Sequence, residues 1–150
     1  MVPEKIKAVM TRYPFTVSPQ STIREALQTM DRYDIRHIPV TESEKVIGVL
    51  SEREIRRFES VMDADKVAAR DVMVSNPYFV THGTPLVEVV KVMQSKKIGS
   101  AVITKNNGEI LGIFTTTDAL RILAELLEAE DKKSEVMKMR SIENYLSMTV

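Results

Sequence analysis

Apolar residues fall on one helical face twice along the chain. Ile23, Ala26, Leu27 and Met30 recur at i, i+3, i+4 and i+7, and Leu86, Val89, Val90 and Met93 recur at the same spacing. Each set predicts a helix with one buried stripe. A short extended piece precedes each helix, "PFTV" in one case and "PYFV" in the other. Two apolar runs follow each: "RHIPV" and "VIGVL", then "SAVIT" and "EILGIF". These runs flank polar turns, "TESEK" and "TKNNGE", and the second turn carries the Asn-Gly pair that hairpins favour. A further helix is expected to start near Ser51 and near Thr115. Thr84 is the expected N-cap of its helix, with Pro85 at the first helical position, and Ser21 holds the matching cap position.

The two halves align. Setting Val9-Met10 on Val72-Met73 places Pro14 on Pro77, Val17 on Val80, Glu25 on Glu88, Met30 on Met93 and Ile35 on Ile98. After one extra residue in the second turn, Gly48 meets Gly112 and Arg57 meets Arg121. An insertion at a turn is what a structural repeat tolerates. A unit of this size cannot easily bury its sheet face alone. The predicted fold is therefore α/β (α+β): two βαββα repeats packed face to face with pseudo-twofold symmetry. The first repeat spans 6–60 and the second 69–126, and 127–150 is a C-terminal helical tail. The stretch "ESVMDADKVAARD" is polar but poor in Gly and Ser, so a short ordered connection is expected. In the tail, Val136, Met139, Ile142 and Leu146 form a weak apolar stripe. It would pack on its own protein or a dimer mate, or bind a partner.

Composition narrows the function. The 150 residues carry 21 Lys and Arg against 21 Asp and Glu, so no basic footprint points to nucleic acid. The absence of cysteine excludes disulfides, cysteine-bearing zinc sites and thiol catalysis. No apolar run approaches the ~20 residues that span a bilayer, and the start "MVPEKIKAVM" lacks a signal-peptide core. A cytoplasmic protein without membrane contact is expected. No nucleophile elbow, P-loop or dinucleotide fingerprint is present, and no hydroxyl has an evident orienting base. No catalytic residue is assigned, and a non-enzyme is expected. With only His37 and His82, no metal site is expected. His82 lies in a loop. His37 reads equally as a polar strand start or as a phosphate contact.

Two phrases share a skeleton: "GVLSEREIRR" from Gly48 and "GIFTTTDALR" from Gly112. In each, a hydroxyl stands three residues before an acid, which is the capping-box pattern: Ser51 with Glu54, and Thr115 with Asp118. Close backbone packing accounts for the glycines. The same groups also suit a ligand. A helix N-terminus offers free N–H groups and positive potential to a phosphate, and a first-turn carboxylate can accept from a ribose diol. The residues alone leave both readings open.

The duplicated "VM" lead-in, the "TIREAL" helix opening, "RHIPV" before a hairpin and the Gly-x-x-Ser/Thr-x-x-acid phrase, twice and in order, resemble a tandem pair of CBS domains over about residues 6–125. The resemblance implies a non-catalytic regulatory sensor of an adenine nucleotide or related adenosyl compound, commonly a homodimer, that modulates an unidentified effector protein or its own assembly. It implies no required cofactor, with the adenine nucleotide as regulatory ligand. It gives Thr115 and Asp118 the ribose and phosphate role. The second copy's Gly99, Ser100 and Ala101 are small enough to admit an adenine, with Tyr78 and Val80 on the wall. The first copy has Ser51 and the longer Glu54, and more positive charge nearby: Arg12, Arg36, His37 and Arg53. The site around Asp118 is thus expected to be the better nucleoside site, completed by basic residues of the other copy. Two alternatives stand beside this reading. One is a dimeric adaptor with empty clefts that acts through its helices and tail. The other is a divalent-cation sensor using Glu52, Glu54 and Asp118.

Overall fold

The computed structural model describes residues 2–149. The chain divides into two compact units, Pro3–Thr116 and the helix beyond it.

Within the first unit, β1 (Thr11–Arg12) follows a 3₁₀ turn at Ile6–Ala8, and α1 (Ile23–Tyr33) leads into the hairpin β2 (His37–Glu42) and β3 (Lys45–Ser51). Then come α2 (Glu52–Glu59), the short α3 (Ala69–Val72), β4 (Phe79–Val80), α4 (Leu86–Lys96), β5 (Ser100–Thr104) and β6 (Ile110–Thr115). The apolar stripe of α1 is buried as its spacing requires. Ile23, Ala26, Leu27 and Met30 join Ile38, Val40, Leu50 and Ile55 in one core. On α4, Leu86, Val89 and Met93 are buried, whereas Val90 is 38% exposed. The connection between repeats is ordered, and Ala64 and Ala69 are buried in the same core as α1.

One sheet has the order β1-β6-β5-β4 and the other is the pair β2-β3. The lead-ins are exchanged. Thr11 and Arg12, in the lead-in of the first repeat, pair with Ile113 and Gly112 of the second. Val74, in the lead-in of the second repeat, pairs with Val49 of the first. The exchange is reciprocal, as a pseudo-twofold relation requires. Val46, Val49 and Val102, with Ile110 against them, form a smaller core containing residues of both repeats.

Several details differ from the sequence expectation. The extended piece "PFTV" makes a single parallel bridge, Val17 to Val40, rather than a strand. The N-cap of α1 is Thr22, not Ser21: Thr22 Oγ1 accepts from Glu25 N–H at 3.1 Å, and Thr22 N–H donates to Glu25 Oε2 at 2.9 Å. Ser21 is instead folded back on Ser18. The N-cap of α4 is Pro85, with no side-chain cap, because Thr84 pairs its hydroxyl with Thr81 at 3.3 Å.

Most of the second unit is α5, Thr116–Met148, a helix of 33 residues. At about 1.5 Å per residue it is about 50 Å long. The expected tail is therefore no separate element but the continuation of this helix. Its stripe is exposed, with Val136 at 48%, Met139 at 61%, Ile142 at 59% and Leu146 at 58%. Near its start Arg121 bridges Asp118 at 3.6 Å and Glu125 at 3.4 Å.

Candidate functional site

A cleft of about 1140 Å³ opens within the Pro3–Thr116 unit, lined by residues of both repeats. The β2–β3 hairpin supplies one side. Its register sets His37 opposite Ser51 at the point where β3 turns into α2. Glu52 N–H donates to Arg36 C=O at 2.8 Å, which ties the first turn of α2 to the strand entry. The second repeat supplies the other side through Asn76–Phe79, the end of α4 and the start of β5. Tyr78 C=O accepts from Val102 N–H at 2.8 Å, which holds that segment on β5. Gly99 lies close to His37: a Cβ there would stand 2.8 Å from His37 Nε2. Any side chain at 99 would push His37 aside.

Of the sequence-predicted site residues, the cleft brings together Arg36, His37, Ser51, Arg53, Glu54, Tyr78, Gly99 and Ser100. Val80 and Ala101 are buried in β4 and β5 instead, 8% and 0% exposed. Thr115 ends β6 opposite Ser100, and Asp118 lies in the first turn of α5.

Ser51 caps α2, but not by the reciprocal box its spacing predicts. Ser51 Oγ accepts from Glu54 N–H at 3.3 Å, and its hydroxyl donates to Glu54 Oε2 at 3.1 Å. The carboxylate thus accepts from the Ser51 hydroxyl rather than from the Ser51 backbone N–H. Burial pushes the Tyr78 phenol above its ordinary value, and the Glu88 charge adds to this. The phenol therefore stays protonated at neutral pH and can donate to a ligand.

The cleft wall is strongly cationic. Glu52 is engaged by Arg56 at 2.8 Å and by Arg36 at 3.7 Å. Arg56 also meets Glu59 at 3.6 Å and Asp31 at 3.8 Å. The Glu52 hydrogen bond is the main reason its guanidinium is held above its usual value. Four more cations line the cleft: Arg53, Arg57, Lys96 and Lys97. Of these four, sequence reasoning singled out Arg53 but not Arg57, Lys96 or Lys97. The available signal was the Lys-Lys pair directly before "IGS".

A duplicated α/β unit with exchanged lead-ins and a cleft faced by both copies defines a tandem-repeat α/β module. The CBS domain model matches residues 6–60 and 69–125, and the chain belongs to the CBS-domain family. It is 28% identical over 120 residues to protein MJ1232 of Methanocaldococcus jannaschii, covering 80% of this chain but only 40% of that protein. The AcuB protein of Vibrio cholerae has a similar structure, with TM-score 0.75 and 28% identity over 85% of this chain and 96% of that one. The CBS-domain pair of protein MJ0100 shares the fold at TM-score 0.75 and 20% identity, covering 82% of this chain and 98% of that one. Its structure is a complex with 5′-methylthioadenosine and S-adenosyl-L-methionine.

Proposed function

We propose that the chain is a regulatory, non-catalytic module of the cytoplasm that binds an adenine nucleotide or related adenosyl compound in this cleft. Occupancy would bias the packing of the two repeats and so alter an effector protein or the protein's own homodimeric assembly. The carrying observation is the cleft itself: its walls come from both repeats, so a ligand there contacts both. Family membership and the adenosyl ligands of the MJ0100 pair support the class of ligand. Tyr78 and the Gly99–Ser100 strand entry offer an apolar and backbone surface to a base, and the hydroxyl and carboxylate of Ser51 and Glu54 suit a ribose.

Thermal shift against AMP, ADP, ATP, NAD and S-adenosylmethionine tests the reading. A ligand at 100 times its Kd adds ~2.7 kcal/mol, on the order of 5–10 °C for a chain of this size. No shift with any of the five at millimolar concentration overturns it. The adaptor reading is favoured by a different observation, the exposed stripe from Val136 to Leu146 on α5. It predicts self-association or partner capture that is lost on deleting residues 130–150 and is indifferent to nucleotides. The cation-sensor reading has less to draw on, because Glu52 is engaged by two arginines and Glu54 by Ser51. Calcium titration without nucleotide separates it from the others.

A further inference from the structure

The charge on the cleft wall says more about the ligand than its class. The whole chain is neutral, with 21 charges of each sign. Yet Arg53, Arg57, Lys96 and Lys97 converge on one cleft and make no ion pair among the described residues. The two cleft carboxylates do not balance them. Glu52 is taken up by Arg56 and Arg36, and Glu54, which keeps its charge while accepting from the Ser51 hydroxyl, can offset only one of the four.

Helix dipoles explain only part of this cluster. Arg57 and Lys96 stand in the last turns of α2 and α4, where a cation is favourable. Arg53 stands in the first turn of α2, where the same dipole opposes it. It also lies four residues before Arg57 on the same helix, a like-charge spacing that destabilises a helix. Folding alone gives no reason for a cation at position 53. A polyanion in the cleft does.

We infer that the cleft selects a nucleoside polyphosphate in its metal-free form, with Arg53, Arg57, Lys96 and Lys97 gripping the phosphate chain. This rests on the nucleotide reading above and deepens it. A neutral thioether nucleoside or a cationic sulfonium compound gains nothing from these four side chains, and a monophosphate gains less than a di- or triphosphate. Magnesium prefers carboxylate and phosphate oxygens in octahedral geometry. The cleft offers it only carboxylates already engaged by other groups. Magnesium on the phosphates would offset part of the charge that the four cations recognise.

The test is calorimetric titration of the full chain with ATP, ADP, AMP, 5′-methylthioadenosine and S-adenosylmethionine, with EDTA or with excess magnesium. In EDTA, affinity should rise at each step from AMP to ADP to ATP and should fall steeply with added salt, since exposed charges are screened. Excess magnesium should weaken ATP binding. Arg53→Gln should weaken ATP binding about tenfold, the loss of one charge-assisted contact, while raising the melting temperature of the ligand-free protein. Binding of methylthioadenosine or S-adenosylmethionine as tight as that of ATP overturns the inference and leaves the nucleotide-class reading standing. So does ATP binding that strengthens with magnesium. An Arg53→Gln protein that melts lower without ligand shows that the arginine serves the fold, and it also overturns the inference. Failure of all five ligands to bind removes the broader reading instead.

Discussion

Gly48 and Gly112 occupy equivalent places in the two repeats and answer to the same physical demand. The lead-in of the opposite repeat crosses each of them. A Cβ on Gly48 would stand 2.5 Å from Met73 Sδ and 2.9 Å from Val74 C=O. A Cβ on Gly112 would stand 2.7 Å from Met10 Sδ and 2.8 Å from Thr11 C=O. The hydroxyl-x-x-acid groups that follow these glycines are not held so alike, since Ser-Glu stands in one copy and Thr-Asp in the other. What the repeats keep identical serves the exchange of lead-ins. What they vary is free to serve a ligand.

The largest effect should come from breaking the shared feature. The methionine sulfurs can move, but the carbonyls are fixed by ladder bonds: Val49 N–H to Val74 C=O is 3.1 Å and the return bond is 2.9 Å. Gly48→Ala and Gly112→Ala should each cost about 2 kcal/mol, the usual scale of overpacking. That lowers Tm by about 4–8 °C. Gly83, whose added Cβ would meet nothing within 4 Å, is the control and should be close to neutral. Adding Met73→Ala to Gly48→Ala should recover only part of the loss, because the Val74 carbonyl remains. Full recovery, or two unequal glycines, would break the equivalence.

This pair also marks what the sequence can and cannot say. The repeat alignment placed Gly48 on Gly112, and close packing was the right reading of both. The partner was not legible, because it comes from the other copy's lead-in and only the sheet order reveals it. The cationic wall was hidden for the same reason. Arg53 and Arg57 sit on α2 while Lys96 and Lys97 sit at the end of α4, and the fold alone brings them to one cleft. The capping errors are of another kind. Ser21 and Thr84 are both good caps, and each loses by one residue because its hydroxyl is taken by a local partner, Ser18 or Thr81. Sequence propensity cannot choose between two adjacent hydroxyls or weigh such a competitor.

The helix starts provide a second, smaller contrast. At α1 the box is reciprocal, with Thr22 and Glu25 each satisfying the other's backbone N–H. At α2 the exchange is one-sided, and Glu54 spends its oxygen on the Ser51 hydroxyl. Thr22→Ala should therefore cost about 1 kcal/mol, and Glu25→Ala a measurable fraction of that. Glu54→Ala should cost less than Glu25→Ala, since it frees no backbone donor. Urea denaturation of the variants compares them directly. A larger loss at Glu54 than at Glu25 would show that the hydroxyl–carboxylate contact supports the fold and is not held in reserve.

The turns offer the finest contrast, and here one copy is better built than the other. In the second hairpin the left-handed position is held by Gly108 at φ 87°. Asn107 Oδ1 accepts from Glu109 N–H at 3.1 Å, and Lys105 meets Glu109 at 2.9 Å. In the first hairpin, Glu42 pairs with Lys45, leaving a two-residue loop of Ser43 and Glu44 at φ 50° and 66°. Both residues are left-handed, the requirement of the tight hairpin turn that favours Asn-Gly. A side chain with a Cβ is disfavoured there by about 1–2 kcal/mol per residue, partly offset by the unfolded-chain entropy that glycine adds. The double change Ser43→Asn with Glu44→Gly should then stabilise the protein by about 0.5 kcal/mol and raise Tm by about 1–2 °C. Gly108→Ala should do the reverse and cost about 1 kcal/mol. Its added Cβ would meet only the Lys45 side chain at 3.7 Å, an ordinary contact, so the cost isolates the backbone conformation. If the Asn-Gly turn failed to stabilise the first hairpin, the extra residue of the second would be no compensation for turn geometry. The difference between the hairpins would then have to come from the strand it abuts, where Val46 N–H donates to Gly108 C=O at 3.2 Å across the repeat boundary.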